Sequence, residues 1–137
     1  MKKILIISFL ALLTMYTHAQ TDARTMLASN GLAIDTVSNT GTETWTLKTP
    51  GYAKTVAVQF VATKISGTVA GSVTLQGSLN GTNWATVPSQ SAFTATDVAS
   101  QTAVWKFDDS GFLYYRLSWT GAGTMSASGR AYILTRN

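Results

Sequence analysis

From Gly31 to the C-terminus, apolar and polar residues alternate with a period of two, the mark of strands that are half buried. Leu32 and Ile34 alternate with Ala33 and Asp35, and Trp45 and Leu47 with Thr44, Thr46 and Lys48. Pro50-Gly51 is a turn signal that ends this second run. Tyr52–Lys64 sets Val56, Val58, Phe60 and Ala62 on one face. Thr68–Leu79 sets Val69, Val73, Leu75 and Leu79 against Ser72, Thr74, Gln76 and Ser78. Asn80-Gly81 then predicts a tight hairpin turn, since both residues tolerate positive φ, with Asn83–Val87 as the returning strand. Ser89–Ser100 is polar, small and without period, so it reads as a long loop. Gln101–Phe107, Phe112–Thr120 and Thr124–Arg136 resume the alternation, separated by Asp108-Asp109-Ser110-Gly111 and Gly121-Ala122-Gly123. Tyr114 and Tyr115 cannot both point inward, because neighbours in a strand face opposite sides.

Seven to eight strands and no long helix predict an all-β fold, an antiparallel β-sandwich or a jelly-roll-like relative of one, over residues 31–137. Residues 20–30 lack periodicity and read as a linker or short helix. The first 19 residues differ in kind. Lys2 and Lys3 precede an apolar run, Ile4–Met15, and Thr17-His18-Ala19 offers a small-residue cleavage site. This is the layout of a secretory signal peptide, with cleavage expected between Ala19 and Gln20. A run of roughly 12 residues is shorter than the about 20 that a membrane span needs, so no stable membrane span is expected after cleavage. The alternative is an uncleaved anchor; the chain has no cysteine to carry a lipid. The expected address is secreted or on an outer surface, or the periplasm.

Composition then narrows the chemistry. Without the leader, 118 residues carry 8 basic and 6 acidic side chains, no histidine and no cysteine, while Ser and Thr number 32. Such a domain cannot build a Cys or His metal site, a Cys–His dyad or a Ser–His–Asp triad. Two carboxylates suffice for a glycosidase, but only Asp108 and Asp109 lie close in sequence, and adjacent residues on an extended segment point apart. Their Asp-Asp-Ser-Gly setting reads as turn chemistry. No catalytic residue, cofactor or metal is therefore expected. The basic residues are scattered singly, Arg116 and Arg130 among them, which argues against nucleic acid as a partner. Arg116 and Arg130 are candidates for neighbouring strands.

The aromatic residues fall mostly in strands and suit a core, and Trp84 admits a second assignment. It lies just past Asn80-Gly81 with Asn83 beside it, so Asn80, Asn83 and Trp84 form a candidate ligand site in which an indole stacks on a sugar. The competing assignment is a Trp that caps the core at the hairpin end. Asn80-Gly81-Thr82 also matches an N-glycosylation acceptor, a match the turn reading outweighs.

Val73–Val87, VTLQGSLNGTNWATV, resembles the strand–turn–strand of discoidin-like (galactose-binding-like) sandwiches, in which a serine, a tight Asp/Asn-Gly turn and a Trp recur. Tyr114-Tyr115-Arg116-Leu117 and Ile133-Leu134 are similar to closing strands of that family, whose stapling cysteines this chain lacks. The LQGS-x-x-GTNW hairpin also looks like those of surface and virion proteins of bacterial viruses. Both resemblances imply non-catalytic surface modules. The function expected from the sequence is a structural or adhesive sandwich, a homo-oligomer or larger surface assembly on a cell or virion. The alternative is a secreted carbohydrate-binding module that takes a glycan at the Asn80–Trp84 hairpin.

Overall fold

The computed structural model describes residues 23–51, 53–108 and 111–136. The leader with its Ala19/Gln20 junction, and Asp109 and Ser110 of the acidic turn, lie outside these residues. Strands with one apolar face must bury it against a second layer, and two antiparallel sheets do so here. The elements in order are β1 (Arg24–Thr25), β2 (Leu27–Ala28), β3 (Ile34–Ser38), β4 (Thr42–Lys48), β5 (Thr55–Gly67), β6 (Gly71–Ser78), β7 (Ala85–Thr86), β8 (Phe93–Ala95), β9 (Ser100–Asp108), β10 (Tyr114–Gly121) and β11 (Met125–Arg136). A five-stranded sheet runs β1-β11-β5-β9 with β3 also on β11. The six-stranded sheet runs β2-β4-β10-β6-β7 with β8 also on β6. No helix occurs among the described residues.

The alternation places the core between the sheets. Val56, Val58, Phe60 and Ala62 of β5 and Met125, Ala127, Ala131 and Ile133 of β11 meet Trp45, Leu75, Tyr115, Leu117 and Trp119 from the other sheet, all buried. Each fully buried Val, Leu, Ile or Phe side chain among them contributes about 1.5–3 kcal/mol. At the centre, the Phe60 ring stands edge-on to both Trp45 (5.3 Å) and Trp119 (5.5 Å), a geometry suited to the ring quadrupoles. Gly129, opposite Ala62 on β5, leaves the space that the Trp45 ring fills.

Several expectations need correction. The described part of the stretch read as linker or short helix, residues 23–30, contains β1 and β2, one in each sheet, and Met26 between them is fully buried with its N–H donating to the Ala131 carbonyl at 2.9 Å. Apolar burial and strand pairing thus hold a segment that has no period of its own. The long loop contains β8, which pairs with β6 and is backed by the Trp105 Nε1 donation to the Ser91 carbonyl at 2.8 Å. Leu32 and Ile34 are exposed, because in β3 it is Val37 that faces the core. Leu79 is exposed as well, since the strand ends at Ser78. The β5–β11 ladder shifts register between Ser126 and Ala127, a bulge that leaves Ile65 without a cross-strand partner and exposed. The count rises to eleven strands through two- and three-residue pieces.

The Lys64 ammonium and the Val69 N–H both bond Asp97 Oδ1, at 2.8 and 2.9 Å. The Lys64 hydrogen bond first, and the Val69 N–H second, hold the Asp97 carboxyl below its ordinary range.

Candidate functional site

The outward-facing residues of the six-stranded sheet form rows across its strands. One row is Thr46–Arg116–Gln76–Thr86, flanked by Thr44–Ser118–Thr74 on one side and Lys48–Tyr114–Ser78 on the other, where Ser78 itself is buried. Hydroxyl, amide and cationic groups line this face, which suits a hydroxyl-rich ligand because each hydroxyl can both donate and accept. The other sheet's outer face differs, with Ile34, Ile65 and Val104 exposed on it.

Trp84 reaches this face from the loop at residues 79–84, which joins β6 to β7. Its ring has the Arg116 guanidinium over it, 4.4 Å from the centroid. Arg116 Nε donates to Gln76 Oε1 at 2.6 Å, so the guanidinium is fixed from two directions. Partial burial pulls the Arg116 pKa down, and it remains a cation. One row away, Lys48 Nζ lies 5.4 Å from the centroid of the Tyr114 ring. Tyr114 points outward and Tyr115 is fully buried, as strand parity requires.

Short polar side chains shape the loop that carries Trp84. The buried Ser78 Oγ accepts from the Gly81 N–H at 2.9 Å and donates to Asn80 Oδ1 at 3.1 Å. Asn80 Oδ1 also accepts from the N–H groups of Thr82 and Asn83, both at 2.9 Å. This is side-chain mimicry of a backbone turn. The tight two-residue hairpin expected from Asn80-Gly81 is a longer connection, in which Gly81 alone has positive φ (76°). The returning strand shrinks to Ala85–Thr86. Ser78 and Asn80, by supplying acceptors to the loop's own N–H groups, favour the wider path over a primed turn.

The structure therefore places the three sequence-selected residues in different settings. The Asn80 oxygen is engaged within the loop, Asn83 is exposed at its end, and Trp84 lies over Arg116 on the sheet face. Trp84 is partly exposed and stands outside the core cluster. Sequence reading missed Gln76 and Arg116 as its neighbours. Period-two parity put Gln76 and Arg116 outward but could not say that β6 and β10 are adjacent. Arg116 and Arg130, expected on neighbouring strands, lie on β10 and β11 in opposite sheets.

A Cβ on Gly81 would sit 3.2 Å from Tyr114 Cε1, at a backbone φ that L residues rarely adopt. Gly81→Ala is expected to cost about 1–2 kcal/mol. Urea unfolding monitored by circular dichroism checks it; an unchanged midpoint contradicts this loop geometry.

Among the described residues, no group of three or more His, Asp or Glu side chains is placed to hold a metal ion. No described helix is long and apolar enough to cross a membrane.

No protein-family model matches the chain, and no curated protein sequence matches it. Solved structures do. A structure described as a CBM4 aligns over 87% of this chain and 81% of its own, with TM-score 0.53 and 13% identity. The Yersinia pseudotuberculosis-derived mitogen aligns over 85% of this chain and 87% of its own, with TM-score 0.52 and 9% identity. A carbohydrate-binding module specific for non-crystalline cellulose, CBM28, aligns over 83% of this chain and 78% of its own, with TM-score 0.50 and 10% identity. At these identities the likeness is one of fold: a β-sandwich shared with carbohydrate-binding modules and with proteins of other kinds. No discoidin family is singled out.

Proposed function

We propose that this protein is a non-catalytic carbohydrate-binding sandwich that takes a polysaccharide on the outer face of its six-stranded sheet. The observation that carries the reading is the Trp84–Arg116–Gln76 arrangement on a face whose other residues are mostly hydroxyl-bearing. The indole face that Arg116 leaves uncovered would offer a platform for the apolar C–H face of a pyranose. Around it, Thr46 on the same row and Thr74 and Ser118 on the adjoining row offer hydrogen bonds to the ring hydroxyls. The carbohydrate-binding modules among the similar structures support this reading through the fold alone. Export by the N-terminal leader would bring such a domain to extracellular or envelope polysaccharide. Affinity electrophoresis through gels containing plant, algal and bacterial polysaccharides tests the proposal. Retardation by at least one polymer is expected, and its absence across the panel overturns the reading.

One observation favours a second reading, self-assembly into a structural or adhesive layer. Among the described residues the nine-residue β9 pairs with β5 alone, and Val104 on it is 64% exposed. A long edge strand of this kind is a template for pairing with another chain. An assembly through β9 predicts a light-scattering mass above that of the monomer, reduced to the monomer by Val104→Lys. A wild-type monomer at high concentration removes this reading.

A further inference from the structure

We infer that the glycan taken at this face is an acidic one, and that Arg116 binds its carboxylate. The inference rests on the carbohydrate-binding reading and goes beyond it in naming the ligand class. Arg116 has five N–H donors, and among the described residues its one hydrogen bond uses Nε, toward Gln76. The ring of Trp84 and the Gln76 amide fix the plane of the guanidinium, which orients the remaining Nη donors without neutralising the charge.

The described carboxylates are all committed elsewhere. Asp97 pairs with Lys64, Asp108 accepts from Thr55, Glu43 accepts from Ser29, and Asp35 lies on β3 of the opposite sheet. The one ion pair among the described residues is Lys64–Asp97, so Arg116 has no internal counter-charge there. Lys48, diagonal to Arg116 across β4 and β10, adds a second cation to the face, their backbone positions roughly 7–8 Å apart by strand geometry. A fixed guanidinium with free forked donors is the arrangement that matches a carboxylate with two parallel hydrogen bonds. A neutral sugar would leave this charge without a partner, whereas a uronate residue stacked near Trp84 would supply one.

The test compares uronate polymers (polygalacturonate, alginate and hyaluronan) with their methyl-esterified forms, which keep the backbone and remove the charge. The full chain is run in affinity electrophoresis, with neutral cellulose and xylan derivatives alongside. At least one acid form is expected to bind about ten-fold more tightly than its ester. About 0.5 M sodium chloride is expected to weaken that binding. Arg116→Gln should remove the preference for the acid, and Arg116→Lys should keep only part of it. Gln76→Glu should also remove it, because it places a carboxylate against the guanidinium, and it should not lower the melting temperature. Esters that bind as well as acids, or binding to neutral polymers alone, would overturn the inference while leaving the carbohydrate-binding reading intact. Failure of every polymer to bind would overturn both.

Discussion

Gly129→Ala is expected to destabilise the domain by about 1–3 kcal/mol, the cost of forcing extra volume into a packed core. The reason is geometric. A Cβ at this position would lie 2.5 Å from Cη2 and Cζ2 of Trp45 and 3.0 Å from Cε2 of Phe60. Neither ring has room to retreat. Trp45 is held by Phe60 at 5.3 Å and by Trp119 at 6.5 Å, and all three are fully buried. The backbone cannot yield easily either, because Gly129 is paired with Asp35 on one side and Ala62 on the other. Urea denaturation should show a midpoint lower by about 1 M with an unchanged slope. Gly51→Ala is the control: no atom beyond its chain neighbours lies within 4 Å of its Cβ position, so the midpoint should stay put. An unchanged midpoint for Gly129→Ala would contradict the packing of Trp45 against β11.

Trp84→Ala is expected to weaken polysaccharide binding by about ten-fold or more, the effect of truncating an aromatic anchor in a contact surface. The same change should leave the melting temperature nearly untouched. Trp84 stands outside the core cluster, and its truncation removes one stack on Arg116 at the sheet surface, which contributes about 0.5–1 kcal/mol. Trp84→Phe should retain part of the affinity, because a smaller ring still offers an apolar face. Isothermal titration with the polymer found by the electrophoretic screen checks both. Binding unchanged in Trp84→Ala would place the ligand elsewhere.

The long strands were legible because their residues repeat with the strand's own period. Val56–Ala62 and the Tyr114/Tyr115 pair assign their faces by parity alone, and burial follows that parity. The short elements were not legible. β1, β2 and β8 are two or three residues long, too short to show a period, and exist because neighbouring strands offer them an edge. Ile34 misled for a related reason: a single apolar residue at a strand's start says less about its face than Val37 at the packed position. The site was legible in part. Trp84 stood out as an aromatic residue beside turn residues, but its contact with Arg116 depends on the β6–β10 pairing, a long-range choice that local pattern does not encode. Asn80 carried two readings, ligand and turn former; the loop's hydrogen bonds show its Oδ1 serving the turn.

Whether the glycan sits on the outer face of the six-stranded sheet can be read residue by residue. Proton–nitrogen correlation spectra of the labelled full chain, titrated with oligosaccharides of the retarding polymer, provide that reading. The predicted result is a shift of the Trp84 indole N–H and of the Thr46, Gln76 and Arg116 amides, with β9 and the buried indoles of Trp45 and Trp119 unchanged. Shifts confined to β9 or to the rest of the five-stranded sheet would contradict a glycan site on this face.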